Sequence, residues 1–181
     1  MRLVILDRDG VINFESDAYI KSPEEWIPIP GSLEAIARLN QAGFTVVVAT
    51  NQAGVGRGLF DLEALEAIHR KMLAAIEATG GRLAGIFYCP HGPRDDCDCR
   101  KPKPGLLHQI EKQFNLSLKG IPAIGDSLRD IQAAEAVEAR PVLVLTGFGE
   151  ETLRQLSDPR CVEVFADLAT ATEHLIHEAA R

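Results

Sequence analysis

Carboxylates, a hydroxyl and a lysine follow the ends of short apolar runs in this chain. Asp7 and Asp9 come directly after the first run, Thr50 follows the second, Asp126 follows a later one, and Lys101 lies in a loop before a helical segment. In open α/β sheets, ligands bind beyond the carboxyl ends of the strands, so we expect these five side chains to meet at one edge. Magnesium prefers hard oxygen ligands, commonly a few carboxylates together with a substrate phosphate. The set therefore predicts Mg²⁺-assisted phosphoryl transfer.

A second group of reactive side chains lies in the stretch CPHGPRDDCDCRKP, residues 89–102. Cys89, His91, Cys97 and Cys99 offer three thiolates and one imidazole, a set that suits tetrahedral Zn²⁺. Because four protein ligands leave no open position, the predicted zinc site is structural and belongs to a binding loop over residues 89–99. It would order a long polar loop and fix the direction of the residues after Cys99. The alternative is a polar surface loop with reduced thiols.

The bulk composition indicates an acidic protein without a membrane segment. Its 181 residues carry a formal net charge of −7, and 46% of them are hydrophobic. The length predicts one domain over residues 1–181, and the acidic balance argues against a nucleic-acid or anionic-membrane partner. No apolar run is long enough to cross a bilayer, and the first residues lack the pattern of a signal peptide. Cysteines without an export signal favour a reducing compartment, so we expect a cytoplasmic protein. We also expect a monomer.

Short apolar runs alternate with amphipathic segments along the chain. Runs that are apolar on both faces are typical of a parallel sheet covered by helices. Strands are expected at 2–6, 44–49, 85–89, 120–125 and 141–145, and helices at 31–42, 61–78, 104–115, 128–138 and 166–179. The alternation predicts an α/β fold, a doubly wound Rossmann-like parallel sheet with short loop inserts and no large cap domain. The connections 10–30 and 89–103 are long, which often indicates function.

Several polar residues near these motifs have more than one interpretation. Ser127 and Asp130 fit a capping box at a helix start, where Asp130 would act as a cap, as support for the site or as a metal partner. The stretch GVGRG at 54–58 lacks the GK[ST] ending of a phosphate loop, which favours a flexible turn. Arg57 within it points either to substrate or to solvent. His69, inside a helical segment, is expected to be solvated or capping.

Four short motifs resemble those of the haloacid dehalogenase superfamily, and they occur in the superfamily's order. They are LDRDG, VVATN, the lysine at 101 and GDSLRD. The resemblance implies that Asp7 is a nucleophile that forms an aspartyl-phosphate and that Asp9 is the general acid and base. It also implies that the carboxylates of Asp7 and Asp126 and the Asp9 carbonyl ligate Mg²⁺, while Thr50 and Lys101 hold phosphoryl oxygens.

Longer stretches are similar to one branch of this superfamily, the D-glycero-D-manno-heptose 1,7-bisphosphate 7-phosphatases with their relatives, the histidinol-phosphate phosphatases. They are DRDGVIN, TNQAGVGRG, YCPH, CDCRKPKPG and GDSLRDIQAA. The likeness implies that Arg100 recognises a sugar phosphate. The other substrate contacts that it implies are Glu15, Ser16, Asp17, Ala18, Asn51, Gln52 and Ala53. The interval from His91 to Cys97 is shorter than in some members, and Ser127 stands where some carry lysine.

The resemblance implies a Mg²⁺-dependent phosphatase with a structural Zn²⁺, acting on the C7 phosphate of a small sugar phosphate, heptose 1,7-bisphosphate, in lipopolysaccharide-related synthesis. Histidinol phosphate is the alternative substrate, for which Glu15 and Asp17 would provide acidic walls. A zinc-binding interaction module with a vestigial site is the alternative from another class, which the intact catalytic set disfavours. Relatives with this core also act on nucleic-acid 3′-phosphates, but the acidic charge and the lack of a basic, aromatic stripe argue against that substrate.

Overall fold

The computed structural model describes residues 1–181, in which strands alternate with helices. The strands are β1 (Arg2–Leu6), β2 (Phe44–Asn51), β3 (Gly85–Cys89), β4 (Pro122–Gly125), β5 (Arg140–Val144) and β6 (Glu163–Phe165). The helices are α1 (Ser32–Gln41), α2 (Ala53–Gly56), α3 (Leu62–Ala78), α4 (Gly105–Phe114), α5 (Leu128–Ala136), α6 (Gly149–Gln155) and α7 (Leu168–Ala179). All strands and helices that the sequence predicts are present.

The strands form one six-stranded sheet in the order β3-β2-β1-β4-β5-β6, and every neighbouring pair is parallel. In the register, Leu6 at the end of β1 pairs with Val48 of β2 and with Ile124 of β4. The chain therefore leaves β1 between the ends of the two strands that carry the second and fourth motifs. The predicted doubly wound, Rossmann-like sheet is confirmed.

Helices cover both faces of the sheet because its strands are apolar on both sides. On one face, α1, α3 and α7 contribute Ile36, Met72 and Leu175 to the larger buried cluster. On the other face, α4 and α5 contribute Leu106 and Ala133 to a second cluster. These two layers hold the strand ends in fixed positions, which is what a site built from several strands requires.

The connection after β1, residues 10–30, forms a packed wall, called the wall segment below. Trp26 is 1% exposed and belongs to the main core cluster together with Ile12 and Ile20. Lys71 of α3 fixes the segment from outside, since its Nζ donates to the Trp26 carbonyl at 2.9 Å. Burial of these apolar groups anchors the wall segment and supports residues 14–19 at its tip.

Three local elements differ from the sequence-based expectation. β6 has only three residues, all half-buried, and is too short for the apolar pattern that predicts a strand. The seven-residue helix α6 is also absent from the prediction. In the expected flexible turn at 54–58, the first three residues belong to the one-turn helix α2, where a Cβ on Gly54 would lie 2.3 Å from the Phe60 ring, and residues 57–58 form a turn. None of the helices has both the length and the apolar composition that a bilayer crossing requires.

Candidate active site

Three carboxylates meet at the carboxyl end of the sheet. Asp7 follows β1, Asp126 follows β4, and Asp130 lies in the first turn of α5. One oxygen of each carboxylate lies within 4.8 Å of the other two. The Asp7 amide donates to the Ile124 carbonyl at 2.9 Å, which ties the loop after β1 to the neighbouring strand. The sequence places Asp7 and Asp126 here, and the structure brings Asp130, considered above as a cap, as support for the site or as a metal partner, into the same cluster.

Burial and mutual repulsion make two of these acids reluctant to ionise without a cation. Burial, together with the Asp130 charge, raises the pKa of Asp7 to about 7. Burial, followed by the charges of Asp7 and Asp130, raises the pKa of Asp126 to about 9. A divalent cation between the carboxylates would cancel this repulsion. Clustered oxygen donors of this kind fit the preference of Mg²⁺.

Lys101 is the cation that the chain itself supplies to this cluster. Its Nζ donates to Asp130 Oδ1 at 2.5 Å and to the Ala49 carbonyl at 2.8 Å, and it lies 3.2 Å from Asp7 Oδ1. The Asn51 side chain accepts from the Lys101 amide and donates to its carbonyl, both at 3.0 Å. Although burial acts to lower it, the charges of Asp130 and Asp7 raise the pKa of Lys101. Lys101 is therefore a fixed positive charge.

Asp130 combines two of the roles considered for it. Its side chain and that of Ser127 form the predicted capping box at the start of α5. Its Oδ1 accepts from Lys101 while its Oδ2 accepts from the Ser127 amide and hydroxyl at 3.0 and 2.7 Å. Although burial acts to raise it, Lys101 and Ser127 hold the pKa of Asp130 below its ordinary value. Asp130 thus caps a helix and orients the catalytic lysine candidate.

Two glycines allow the backbone to close around Asp126. Gly10 and Gly147 have φ of +80° and +58°, and a Cβ on either would lie 2.0 or 2.1 Å from Asp126 Oδ2. The Phe148 amide donates to that same oxygen at 2.8 Å, and the Thr146 hydroxyl donates to the Gly10 carbonyl at 2.6 Å. The loop after β5 is therefore part of the site, although no motif in the sequence marks it.

Asp9 is held by side chains from several elements. Its Oδ1 accepts from Arg8 Nε and Nη2 at 3.0 and 2.8 Å and from Asn13 Nδ2 at 2.9 Å. Its Oδ2 accepts from Gln52 Nε2 at 3.1 Å, and the same Gln52 nitrogen donates to Thr50 Oγ1 at 3.0 Å. The side-chain amide of Gln52 therefore links Asp9 to Thr50, which lie near the ends of the neighbouring strands β1 and β2.

The expectation that His69 is solvated or capping is wrong. His69 is only 7% exposed, and its Nε2 lies 3.1 Å from Nη1 of the fully buried Arg8. Sequence analysis also gives no role to Arg8, because a charged residue between two aspartates has the pattern of a surface turn. Helical spacing places His69 on the inner face of α3 beside Ile68 and Met72, so this spacing could have predicted that His69 is buried.

A polar cavity of about 270 Å³ opens beside Asp9. Most of the substrate contacts implied by the family resemblance line it, namely Glu15, Ser16, Asp17, Asn51, Gln52, Ala53 and Arg100. Ala18 lies outside the lining and is exposed. Burial, followed by the nearby Asp9 charge, raises the pKa of Glu15 to about 7. The cavity is therefore bounded by the wall segment on one side and by residues after β2 on the other.

Arginines from three segments also line this cavity. Arg57 follows α2, Arg100 ends the cysteine-rich loop, and Arg129 lies at the start of α5. Arg57 Cζ lies 5.7 Å from the ring centroid of Tyr19, and both side chains line the cavity, so Arg57 points toward the cavity. Burial, then the charge of Arg129, lowers the pKa of Arg100, and Arg100 Nη1 is buried without a hydrogen-bond partner. This part of the cavity suits an anion.

The cysteine-rich loop brings its four predicted ligands together. Cys89, His91, Cys97 and Cys99 each offer one atom, and these atoms lie within 4.8 Å of one another. Cys89 Sγ is 2.8 Å from Cys99 Sγ and 3.8 Å from Cys97 Sγ, and His91 Nδ1 is 3.3 Å from Cys99 Sγ. Soft sulfur donors with one imidazole match the donor set of structural zinc sites.

Two family models match the chain and together span its site. The HAD-hydrolase-like model matches residues 98–171, and the polynucleotide kinase 3 phosphatase model matches residues 3–127. These ranges include every strand end that carries a residue of the carboxylate cluster. Fold, site and family matches define a phosphatase of the HAD-like hydrolase class, as the four motifs predict.

Known proteins resemble the chain from end to end. The D-glycero-beta-D-manno-heptose-1,7-bisphosphate 7-phosphatase of Bordetella bronchiseptica is 55% identical, over 99% of this chain and 100% of that protein. The protein of the same name from Pseudomonas aeruginosa is 55% identical, over 96% of this chain and 97% of that protein. The crystal structure of the B. bronchiseptica D,D-heptose 1,7-bisphosphate phosphatase, complexed with magnesium and phosphate, has a TM-score of 0.96 and 55% identity, covering 98% of this chain and 99% of that one. The chain belongs to the D-glycero-beta-D-manno-heptose-1,7-bisphosphate 7-phosphatase family.

Proposed function

We propose that this protein hydrolyses the C7 phosphate of D-glycero-D-manno-heptose 1,7-bisphosphate through an aspartyl-phosphate intermediate. The observation that carries the proposal is the 55% identity, over the full length of both chains, to the B. bronchiseptica enzyme named for this reaction. The carboxylate cluster with its buried lysine, and the polar cavity beside it, provide matching chemistry and space.

Magnesium would be held by the carboxylates of Asp7 and Asp126 and by the Asp9 carbonyl. The raised pKa values of Asp7, about 7, and Asp126, about 9, support a cation there, because a positive charge would let both groups ionise. The metal would supply charge neutralisation for the phosphoryl oxygens and the nucleophile. The B. bronchiseptica structure complexed with magnesium supports the choice of ion.

The first chemical step would transfer the phosphoryl group to Asp7. A carboxylate oxygen of Asp7 bonds to phosphorus as the bond from phosphorus to the sugar oxygen breaks. Asp9, protonated at this stage, gives its proton to that sugar oxygen, so the product leaves as an alcohol. Lys101 and Thr50 would hold the equatorial phosphoryl oxygens, where negative charge spreads in the transition state.

The second step would release phosphate and restore the enzyme. A water oxygen bonds to phosphorus while the bond from phosphorus to Asp7 breaks, and the ionised Asp9 takes a proton from that water. The Gln52 amide supports the arrangement because it links Asp9 Oδ2 to Thr50 Oγ1 at 3.1 and 3.0 Å. Asp7 returns as a free carboxylate, and Asp9 is again an acid.

A structural zinc in the cysteine-rich loop is part of the proposal. The four donor atoms lie within 4.8 Å of one another and use every ligand position of a tetrahedral ion. Lys101 follows Cys99 by two residues, so the zinc would fix the loop that carries the lysine. Arg100, between them, would face the phosphate of the substrate that is not cleaved.

A substrate panel tests the proposal directly. We expect Mg²⁺-dependent phosphate release from heptose 1,7-bisphosphate to exceed that from histidinol phosphate and from a 3′-phosphorylated oligonucleotide. Nuclear magnetic resonance of the product should show the loss of the C7 phosphate with the C1 phosphate retained. Faster turnover of histidinol phosphate or of the oligonucleotide would refute the substrate, and no Mg²⁺-dependent turnover at all would refute the activity. We also propose that the chain is a single-domain monomer, and gel filtration of the same sample tests its oligomeric state.

A further inference from the structure

The carboxylate of Asp9 is held asymmetrically. Its Oδ1 accepts three N–H groups, two from Arg8 at 3.0 and 2.8 Å and one from Asn13 at 2.9 Å. Its Oδ2 accepts only from Gln52, at 3.1 Å, and Asp9 lines the cavity. An oxygen that already accepts three donors has no lone pair left for a proton. The proton that Asp9 transfers must therefore be carried by Oδ2.

The arginine that creates this asymmetry is itself held by a histidine. Arg8 is fully buried, and its Nη1 lies 3.1 Å from His69 Nε2. A guanidinium only donates, so Nε2 must accept and the imidazole carries its proton on Nδ1. Burial, followed by the Arg8 charge, lowers the pKa of His69 to about 3, which keeps the ring neutral. Helix α3 thus contributes a residue, His69, that contacts the site indirectly through Arg8.

We propose that His69 is a positioning residue for the acid–base step: as a neutral acceptor it holds Arg8, and Arg8 holds Asp9 with Oδ2 toward the leaving oxygen. The inference depends on the proposed role of Asp9. When the bond from phosphorus to the sugar oxygen breaks, its electron pair stays on that oxygen, and the proton of Asp9 Oδ2 moves there. Without His69, Arg8 Nη1 would be buried with no partner, and the guanidinium would shift to find one.

Two esters with different leaving groups separate this role from general loosening of the site. A sugar alkoxide needs a proton as it leaves, whereas p-nitrophenolate leaves readily without one. The ratio kcat/KM covers only the steps up to departure of the leaving group. For His69→Leu we expect a loss of about 10- to 100-fold in kcat/KM for heptose 1,7-bisphosphate, no more than the lower end of what a general acid contributes because Asp9 itself is retained, and a much smaller loss for p-nitrophenyl phosphate. His69→Gln, which returns an acceptor, should recover most of the loss.

The matched control is His108→Leu. His108 lies on α4, and its side chain is 58% exposed beside Glu111, so the variant should change neither ester's kinetics. Equal losses on both esters with His69→Leu, or no loss on either, would overturn the positioning role. If the wild-type protein cleaves p-nitrophenyl phosphate but not the heptose ester, the proposed substrate fails. The comparison is then made with glycerol 3-phosphate as the alkyl ester, so the two failures remain distinct.

A second measurement decides the matter if His69→Leu does not fold. Nitrogen-15 spectra of the wild-type imidazoles report which ring nitrogen of His69 carries the proton. We expect Nδ1 to be protonated and Nε2 to be bare. A proton on Nε2 would contradict the inference, because Nε2 would then be unable to accept from Arg8.

Discussion

Single residues at this site are defined by what their neighbours allow. Burial and the Asp130 charge raise the pKa of Asp7, and burial with the charges of Asp7 and Asp130 raises the pKa of Asp126. Lys101, 3.2 Å from Asp7 Oδ1, offsets part of this repulsion. Asp9, two residues from Asp7, is instead surrounded by donors from Arg8, Asn13 and Gln52. Two carboxylates of the same motif therefore have different environments, in keeping with the different roles proposed for them.

Asp7→Asn should abolish turnover while leaving the fold intact. The neutral amide is a poor nucleophile, and its loss of charge also weakens the metal site. Because Asp7 lies beside Asp126 and Asp130, the substitution relieves repulsion and should not lower the midpoint of thermal unfolding. Phosphate release in the presence of Mg²⁺ and circular dichroism measure the two effects. A variant that kept a near-normal rate would refute Asp7 as the nucleophile.

Sequence predicts those site residues whose position relative to a strand end is enough to define them. Asp7, Thr50 and Asp126 belong to this group, because each follows an apolar run of a parallel sheet. The partners of these residues are different. His69 is 61 positions from Arg8, and the Phe148 amide that holds Asp126 is 22 positions away, so only the packed structure brings them together.

At the scale of elements, the loop after β5 packs against Asp126, a ligand in the proposed metal site. Gly147→Ala should impair Mg²⁺-dependent activity, since a Cβ there would lie 2.1 Å from Asp126 Oδ2 and 2.7 Å from Gly10 Cα. The substitution also strains a φ of +58° and should cost about 1 kcal/mol of unfolding free energy from the backbone alone. Activity as a function of Mg²⁺ concentration and denaturant unfolding measure these effects.

Gly80→Ala is the matched control for that experiment. Gly80 follows α3 with a φ of +82°, and nothing lies within 4 Å of a Cβ placed there. The control should lose a similar backbone free energy and keep its activity and its Mg²⁺ dependence. Equal activity of the two variants would mean that the loop after β5 does not shape the metal site.

The cysteine-rich loop is the other element on which the site depends. Cys97→Ser should release zinc and lower kcat, because the loop also carries Lys101 and its contacts to Asn51. Cys161→Ser is the control, since Cys161 is exposed and lies outside the cluster that the other three thiols form. Elemental analysis and phosphate release are measured on both proteins. A full zinc complement in Cys97→Ser would contradict the proposed ligand set.

Long elements with a clear period are predictable from sequence, and short ones are not. The buried runs of β1 and β2 and the apolar stripe of α3 leave no alternative, so their bounds are found within a few residues. β6, with three half-buried residues, is specified by pairing with β5 rather than by its own pattern. The one-turn helix α2 likewise depends on the approach of Phe60 to Gly54, a contact that no local propensity describes.

For the whole molecule, the carboxylate cluster should make stability depend on pH when Mg²⁺ is removed. Folding raises the pKa of Asp7 from 3.8 to about 7 and the pKa of Asp126 from 3.8 to about 9. Between about pH 4 and pH 9 the folded protein therefore binds more protons than the unfolded chain. Unfolding free energy should therefore fall as pH rises from about 4 to about 9. Added Mg²⁺ should reverse the fall, because it binds the ionised cluster of the folded state.

Urea unfolding at a series of pH values, with and without Mg²⁺, checks this dependence. The samples should retain zinc, so that the cysteine-rich loop is the same in both. Asp126→Asn should flatten the metal-free curve. If the unfolding free energy of the metal-free protein instead rose steadily across that range, the pKa values of Asp7 and Asp126 would not be raised in the folded state.

The burial of Trp26 gives the protein a built-in optical reporter. It is the only tryptophan of the chain, it is 1% exposed, and it lies in the wall segment that borders the cavity. All indole fluorescence therefore originates from one residue in the wall segment. An emission spectrum that shifts when a sugar phosphate is added would indicate that the wall segment moves on binding. An unchanged spectrum would indicate a preformed cavity.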